Sequence, residues 1–451
     1  MVKIEVHLIS KELIKPSSPA IQQKKPYKLS LLDQLTPATY SPVIFFYPMM
    51  NDGSFSNITD KTRIDSLKKS LSETLNLYYP FSGRVKDNLF IDCFNAGVPF
   101  LEAQVNCRLS DYLKHHELES LNHFLPCQPF TKEDMSAPIS AFQVSIFACG
   151  GISLGWSASH KLVDGATAKA FLSTWASKSR GEHSEVIQPD FSEASLFFPP
   201  RNSLPQNHIL SLMETLWFTE GNYITRRFVF NHKAIAMLRA KAEGGKPDTK
   251  PSRIETLSCF IWKCSMAASK AISGSPKPSI LVEAVNLRTR TKPPMSDASI
   301  GDIFWWATAV AHPTDANTEL HELVNHLNEA TALYDSDYTR TMQGEEGFET
   351  MSNFCSQLEG LFSLEKPDIF AFTSWCYLGF TKANFGWGEP IWVGLMGKVG
   401  PAFRNLTILI ETKDGDGIEA WVTLDEERMA MLERDPEFLS FASPNPQFSS
   451  L

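Results

Sequence analysis

The stretch of this chain best suited to chemistry is Ser159-His160-Lys161-Leu162-Val163-Asp164-Gly165. A histidine titrates near neutrality and can take a proton from a hydroxyl. Of the 11 histidines, only His160 is followed four residues later by an aspartate, and a glycine comes next. A hydrogen-bonded structural histidine would fit the motif as well as a general base does. His160 and Asp164 on one helix would share a face as metal ligands. There is no His-Glu-x-x-His, however, and no second histidine or cysteine at ligand spacing, so no metal is expected. A serine hydrolase would need a Gly-x-Ser-x-Gly elbow at a strand-to-helix turn; the match Gly151-Ile152-Ser153-Leu154-Gly155 falls inside an apolar run read as a buried strand, so that reading is set aside. Neither a dinucleotide fingerprint nor a P-loop is present. The reading that remains is a base with no nearby protein nucleophile. That suits direct transfer, in which a substrate hydroxyl attacks an already activated acyl donor.

A second cluster is Asn384-Phe385-Gly386-Trp387-Gly388, followed by Glu389-Pro390. Two glycines around a tryptophan point to a tight loop, φ-positive in places, that presents aromatic bulk. A loop simply pinned to a core would look the same.

His160 needs a rigid support, and the flanking pattern supplies one. Residues 140–159 hold two apolar runs broken by Gly150-Gly151, the pattern of a buried hairpin. From His160 to about Lys178 the pattern is helical, so the histidine sits where a buried strand gives way to a helix. Residues 60–79 predict an amphipathic helix ending at the Pro80/Gly83 turn. The second half repeats this alternation. Strands are predicted at 226–230, 280–286, 303–311, 369–375, 390–399, 405–411 and 418–423. Helices are predicted at 252–271, 319–334, 347–362 and 425–434. Residues 201–221 read as a crossover between two similar-sized halves, 1–200 and 222–451. The fold class expected is α/β.

Composition narrows the function. The 451 residues are 43% hydrophobic and 21% charged, the balance of a globular enzyme. A net charge of −9 disfavours a nucleic-acid partner or a polybasic membrane anchor. No run approaches the roughly 18–20 apolar residues of a membrane helix. The eight cysteines form no Cys-x-x-Cys pair and residues 1–19 have no signal-peptide pattern, so a cytoplasmic protein is expected. The sequons at Asn57 and Asn405 are read as chance. The terminal Ser449-Ser450-Leu451 is a loose variant of a peroxisomal address. Nothing in the chain demands a protein partner, and a monomer is expected.

The two clusters, taken with further landmarks, resemble the plant BAHD acyltransferases, a coenzyme-A-dependent family. The further landmarks are Tyr79-Pro80-Phe81-Ser82-Gly83-Arg84, Asn286-Leu287-Arg288-Thr289-Arg290, Thr373-Ser374-Trp375-Cys376 and Gly415-Asp416-Gly417-Ile418-Glu419-Ala420-Trp421. Together they span essentially the whole chain. Residues 14–19 and 31–34, with Ser374-Trp375-Cys376, look most like the branch containing alkaloid and terpenoid O-acetyltransferases.

The resemblance implies two chloramphenicol-acetyltransferase-like domains with a solvent channel between them, and a segment near 376–398 packing with the N-terminal domain. His160 would stand mid-channel as general base, with acyl-CoA, most simply acetyl-CoA, as co-substrate and a small-molecule alcohol as acceptor. No acyl-enzyme and no tightly bound cofactor are implied. Asp164 would turn away and pair with Arg288, and the 384–388 loop would be structural. This chain has Asn384 where the family has aspartate, which admits a non-catalytic binding relative as an alternative. An N-acyltransferase or a user of another acyl donor is a further one. Thr373, Ser374 and Trp375 are candidate oxyanion donors. Ser252 and Arg253, at a helix start, are candidates for holding coenzyme A, although Ser252 reads equally as a plain helix cap. Residues 34–45, Phe304, Trp305, Trp306 and Phe370–Phe372 are candidate walls of the acceptor pocket. Adjacent tryptophans on a strand face opposite ways, so only one of Trp305 and Trp306 can line it.

Overall fold

The computed structural model describes residues 4–49, 60–115, 117–131, 134–182, 186–202, 204, 221–244, 250–313, 318–400 and 405–446. Most of the 201–221 crossover, the Asn57 sequon and the C-terminal Ser449–Leu451 lie outside these residues.

Sixteen strands are described: β1 (Val6–Ile14), β2 (Tyr27–Lys28), β3 (Tyr40–Tyr47), β4 (Arg84–Lys86), β5 (Phe90–Asp92), β6 (Val98–Val105), β7 (Ser140–Phe147), β8 (Ile152–Ser159), β9 (Tyr223–Phe230), β10 (Ser279–Asn286), β11 (Phe304–Ala311), β12 (Asp368–Ser374), β13 (Trp392–Gly394), β14 (Leu406–Glu411), β15 (Ile418–Asp425) and β16 (Ser443–Pro444). They form a six-stranded sheet in the order β1-β6-β7-β8-β3-β13, a seven-stranded sheet in the order β11-β10-β12-β14-β15-β9-β16, and a small sheet β2-β5-β4. Both large sheets are mixed, with β6 parallel to β7 and β12 parallel to β10 and β14. Mixed sheets flanked by helices make the fold α/β.

Two tie-points join the halves. The short β13 belongs in sequence to the second half but pairs with β3 in the first sheet, Trp392 opposite Phe46. The Trp392 ring stacks on Phe46 at 5.2 Å and lies 6.0 Å from Trp421 of the second sheet. The strand predicted at 390–399 is therefore only three residues long, because it has a partner only where β3 passes. The second tie-point is the segment 299–303, between β10 and β11. Gly301 bridges to Val163, and its backbone N–H and C=O both bond the Thr167 hydroxyl at 3.2 and 3.1 Å.

β7 and β8 are the predicted hairpin, antiparallel from Ser140↔Ala158 to Ile146↔Ile152. Every residue of β8 is buried. The chain then turns through His160–Val163 and enters the helix Gly165–Ser179, capped by Asp164, whose carboxylate accepts from the Thr167 N–H at 2.9 Å. His160 and Asp164 thus lie in a turn and a cap rather than on one helix face. The helix over 60–79 stops at Thr74, with a short 3-10 turn at Tyr79–Ser82. The 405 sequon lies inside the fold, with Asn405 buried and its amide donating to the Ile369 carbonyl at 2.7 Å.

Candidate active site

His160 follows the last residue of β8, and its backbone N–H donates to the Thr39 carbonyl at 3.1 Å, just before β3. Ser41 on β3 pairs with Ala158 on β8, two residues before His160. Side chains two apart on a strand share a face, so Ser41 and His160 come together across the two strands. The Ser41 hydroxyl lies 2.5 Å from His160 Nε2. The sequence placed no hydroxyl beside this base; the fold brings that of Ser41 within hydrogen-bond reach, from 119 residues away in the chain.

The other ring nitrogen has its own partner. His160 Nδ1 is 3.2 Å from Asp302 Oδ1, and the Asp302 side chain is fully buried while that of His160 is 21% exposed. A buried carboxylate beside Nδ1 fixes the tautomer: the proton sits on Nδ1 and the Nε2 lone pair is free to accept one. Burial by itself lowers the pKa of His160, but the charge and hydrogen bond of Asp302, with a contribution from Asp164, outweigh it and raise the value overall. Asp302 is in turn pushed up by burial and pulled down by His160.

The first half holds Asp302 in place. Its backbone N–H donates to Asp33 Oδ1 at 2.7 Å, and the next residue, Ile303, donates to Asp164 Oδ2 at 3.0 Å. Asp33 sits in the short helix Leu31–Leu35, where its other oxygen closes a capping box with Ser30. Burial pushes Asp33 up to about 7, against the pull of those hydrogen bonds. Lys161, fully buried, donates to the carbonyls of Asp33 and Gln34 at 3.0 and 3.1 Å and so fixes the same turn. Asp302 was not found from the sequence. It stands one residue ahead of a predicted strand with no motif around it, and only the Gly301-Asp302 step before an aromatic run hints at a special position.

Asp164 faces away from His160 Nε2. It takes a two-pronged contact from Arg288, at 2.5 and 3.1 Å, with Arg288 fully buried. Arg288 also donates to the carbonyls of Ser299 and Gly301. The pair therefore anchors both the His160 turn and the segment carrying Asp302. Gly165 has a steric role, since a Cβ there would meet Leu378 Cδ1 at 3.1 Å in the space beside His160.

Two cavities meet at His160. The larger holds about 1120 Å³ of empty space including its mouth, and the smaller about 360 Å³. Ser41, His160, Asp164, Gly165, Trp375 and Leu378 line both. Phe304, Trp306, Phe372, Thr373, Ser374 and Asn286 line the larger one. Of residues 34–45, only Thr36, Pro37 and Ser41 reach it, while Gln34 is buried and bonded to Arg201 and Asn88. Trp305 is not a wall. It is 3% exposed and packs on Phe354 on the other face of β11, as alternation along a strand requires. Trp306 and Phe304 share the cavity face, edge to face at 4.8 Å. Phe370 is likewise buried away from the cavity.

Ser252 and Arg253 line neither cavity. Ser252 caps the helix Arg253–Ser273 in a capping box with Glu255. Arg253 lies over the Tyr377 ring at 5.6 Å and donates to its hydroxyl. Tyr377 follows Trp375 and Cys376, so Arg253 stands outward of the cavity wall. The 384–388 loop also lies outside the cavities. Its Asn384 Oδ1 accepts from the N–H groups of Gly386 and Gly388 at 2.9 and 3.0 Å, and those glycines have φ of 107° and 92°. Phe385 packs on Trp175 at 4.7 Å, and Trp387 lies beneath the Arg63 guanidinium at 5.1 Å. The loop of the second half is therefore docked on helices of the first. Among the described residues no cluster of three or more His, Cys, Asp or Glu could hold a metal, and no helix is long and apolar enough to cross a membrane.

The profile of the Transferase family matches residues 4–439. This chain belongs to that family, the BAHD acyltransferases. It is similar to limonoid 7-O-acetyltransferase of Citrus sinensis, 39% identical over 98% of this chain and 99% of that protein. It is also similar to stemmadenine O-acetyltransferase of Catharanthus roseus, 34% identical over 97% of both chains. The crystal structure of vinorine synthase superposes with a TM-score of 0.82 at 33% identity, covering 97% of this chain and 99% of that one. The Transferase family member described here therefore shares the two-domain α/β architecture of vinorine synthase.

Proposed function

We propose that this chain is an acyl-CoA-dependent O-acyltransferase that moves an acetyl group onto a hydroxyl of an alkaloid or terpenoid, with His160 as general base. The observation that carries this reading is Nε2 of His160. Its lone pair is kept free by the buried Asp302 on Nδ1, and it stands where two cavities meet. Two substrates can thus approach one base from two sides. The O-acetyltransferase names of full-length relatives support the donor and the acceptor class.

In the reaction, Nε2 accepts the proton of the acceptor hydroxyl as its oxygen attacks the thioester carbonyl. The oxyanion that forms meets donors on the cavity wall at the end of β12: the hydroxyls of Thr373 and Ser374 and the indole N–H of Trp375. Collapse breaks the C–S bond, and the coenzyme A sulfur takes the proton back from His160. General-base help contributes about 10²–10⁴-fold, with positioning and oxyanion stabilisation adding the rest. Arg253, paired with Tyr377 outward of Trp375, is positioned to meet a coenzyme A phosphate. The acceptor lies against Phe304, Trp306 and Phe372.

The test is release of free coenzyme A from acetyl-CoA against a panel of alkaloid and terpenoid alcohols, for wild type and His160→Ala together. Turnover lost in the variant, with acetyl-CoA binding kept, supports the reading. Equal turnover in both would remove His160 from the mechanism.

A further inference from the structure

Direct transfer needs no protein nucleophile, yet the structure supplies one. Ser41 Oγ lies 2.5 Å from His160 Nε2, and His160 Nδ1 lies 3.2 Å from Asp302 Oδ1. Hydroxyl, imidazole and buried carboxylate in that order form the relay that activates a serine for acyl chemistry, and it is recognised by geometry rather than by chain order. We propose that Ser41, His160 and Asp302 form a working triad that gives this enzyme a second activity, hydrolysis of acetyl-CoA through an acetyl-Ser41 ester when no acceptor is bound.

Four observations support the assignment. The Ser41 hydroxyl makes no hydrogen bond other than that to His160 among the described residues, so its proton has one place to go. Ser41 lines both cavities, which gives its oxygen access to a thioester entering from either side. It sits on β3, held in register by β8, so the Oγ to Nε2 approach belongs to the sheet and does not depend on a mobile loop. The same cavity wall presents Thr373, Ser374 and Trp375, so an oxyanion formed at Ser41 meets the donors that serve transfer. The position Ser41 Oγ occupies against Nε2 is also the one an acceptor hydroxyl must take. Acceptor and Ser41 therefore compete for one base, and the serine reacts when the acceptor is absent.

The steps balance. Ser41 Oγ attacks the acetyl carbonyl as its proton passes to His160 Nε2. The C–S bond breaks, coenzyme A leaves with that proton on sulfur, and the acetyl ester remains on Ser41. Water then attacks the ester and gives a proton to Nε2. The bond from carbonyl carbon to Oγ breaks, Ser41 recovers the proton, and acetic acid departs, losing its own proton to solvent as acetate.

This inference rests on acetyl-CoA being the donor, so the experiment has one arm that needs no acetyl-CoA. In the first arm, enzyme is mixed with radiolabelled acetyl-CoA without acceptor, quenched in acid and digested. The expected result is an early burst of coenzyme A, with label on the peptide containing Ser41. In Ser41→Ala the label is absent and acetate release falls by about 10²-fold or more. In the second arm, a small alkyl fluorophosphonate, which captures activated serines irreversibly, modifies Ser41 in wild type and not in His160→Ala. Acetate release by Ser41→Ala at the wild-type rate overturns the triad, as does a Ser41 that neither reagent labels in an enzyme still acetylating an alcohol. Phosphonate-labelled Ser41 in an enzyme that ignores acetyl-CoA upholds the triad and counts against acyl transfer from that donor.

Discussion

Asp302 and His160 are 142 positions apart in the chain, yet the carboxylate of one lies 3.2 Å from Nδ1 of the other. Removing that contact should separate chemistry from binding. Asp302→Asn leaves a similar shape but no charge to favour the working tautomer. The turnover number should fall by about 10²–10⁴-fold while KM for acetyl-CoA changes little. Steady-state kinetics checks this, and a change in KM alone would make Asp302 a binding residue.

The pH profile has a definite sign. His160 is a base only when neutral, and its pKa is raised above the ordinary value of about 6.5 by Asp302. Activity should climb as pH rises through that raised value. In Asp302→Asn the burial that lowers the pKa is opposed only by Asp164, so the acidic limb should move to lower pH. The effect on stability runs the opposite way. A raised histidine pKa contributes stability that is complete below the unfolded value and lost as pH rises through the folded one. Rate and melting profiles over the same buffers check both signs.

The Asp164–Arg288 pair should behave as a fastener. Arg288 is fully buried, and Asp164→Ala would leave its charge without a partner, at a cost of about 3–5 kcal/mol. Denaturant unfolding measures the loss. Any activity left in the folded fraction should keep the wild-type pH dependence apart from the small contribution of Asp164 to His160.

The two neighbouring tryptophans should differ. Trp306→Ala enlarges the acceptor side of the larger cavity and should broaden the range of alcohols accepted. Trp305→Ala, buried against Phe354, should cost about 3–5 kcal/mol of stability and leave the acceptor profile unchanged. Matching substrate panels for both variants would refute the assignment of faces.

Asn384→Asp should leave turnover within about twofold, because the loop lies outside both cavities. The new carboxylate keeps the two glycine N–H bonds and turns them into charge-assisted ones, close to the Arg180 guanidinium that donates to the Asn384 carbonyl. Melting should rise slightly. A large gain in activity would instead mark Asn384 as a defect in the native chain.

Much of the site could be read from local sequence. The strand-to-helix handover put His160 on a rim, although the helix read from His160 starts only at Gly165, with Asp164 as its cap. The loop at 384–388 needed its glycines at positive φ, as their number around one tryptophan suggested. Trp305 and Trp306 had to face opposite ways, but the strand pattern did not say which faced the cavity. Asp302 was missed, and Ser41 was named only within the candidate wall 34–45, for the same reason. Each lies beside His160 only because a different segment delivers it, the 299–303 segment in one case and register with β8 in the other. Neither carries a periodic or spaced signal.

The sequence by itself determined the family, the alternation of helices and strands, and the histidine proposed here as the base. Those features depend on near neighbours, on capping, hydrophobic period and motif spacing, which act within a few residues. Only the tertiary structure decided which nitrogen of His160 is free, what holds the other, and which hydroxyl stands before it. Those facts depend on distances of about 3 Å between groups more than 100 residues apart. Sheet register and the insertion of one half into the other fix such distances, and no local pattern encodes them.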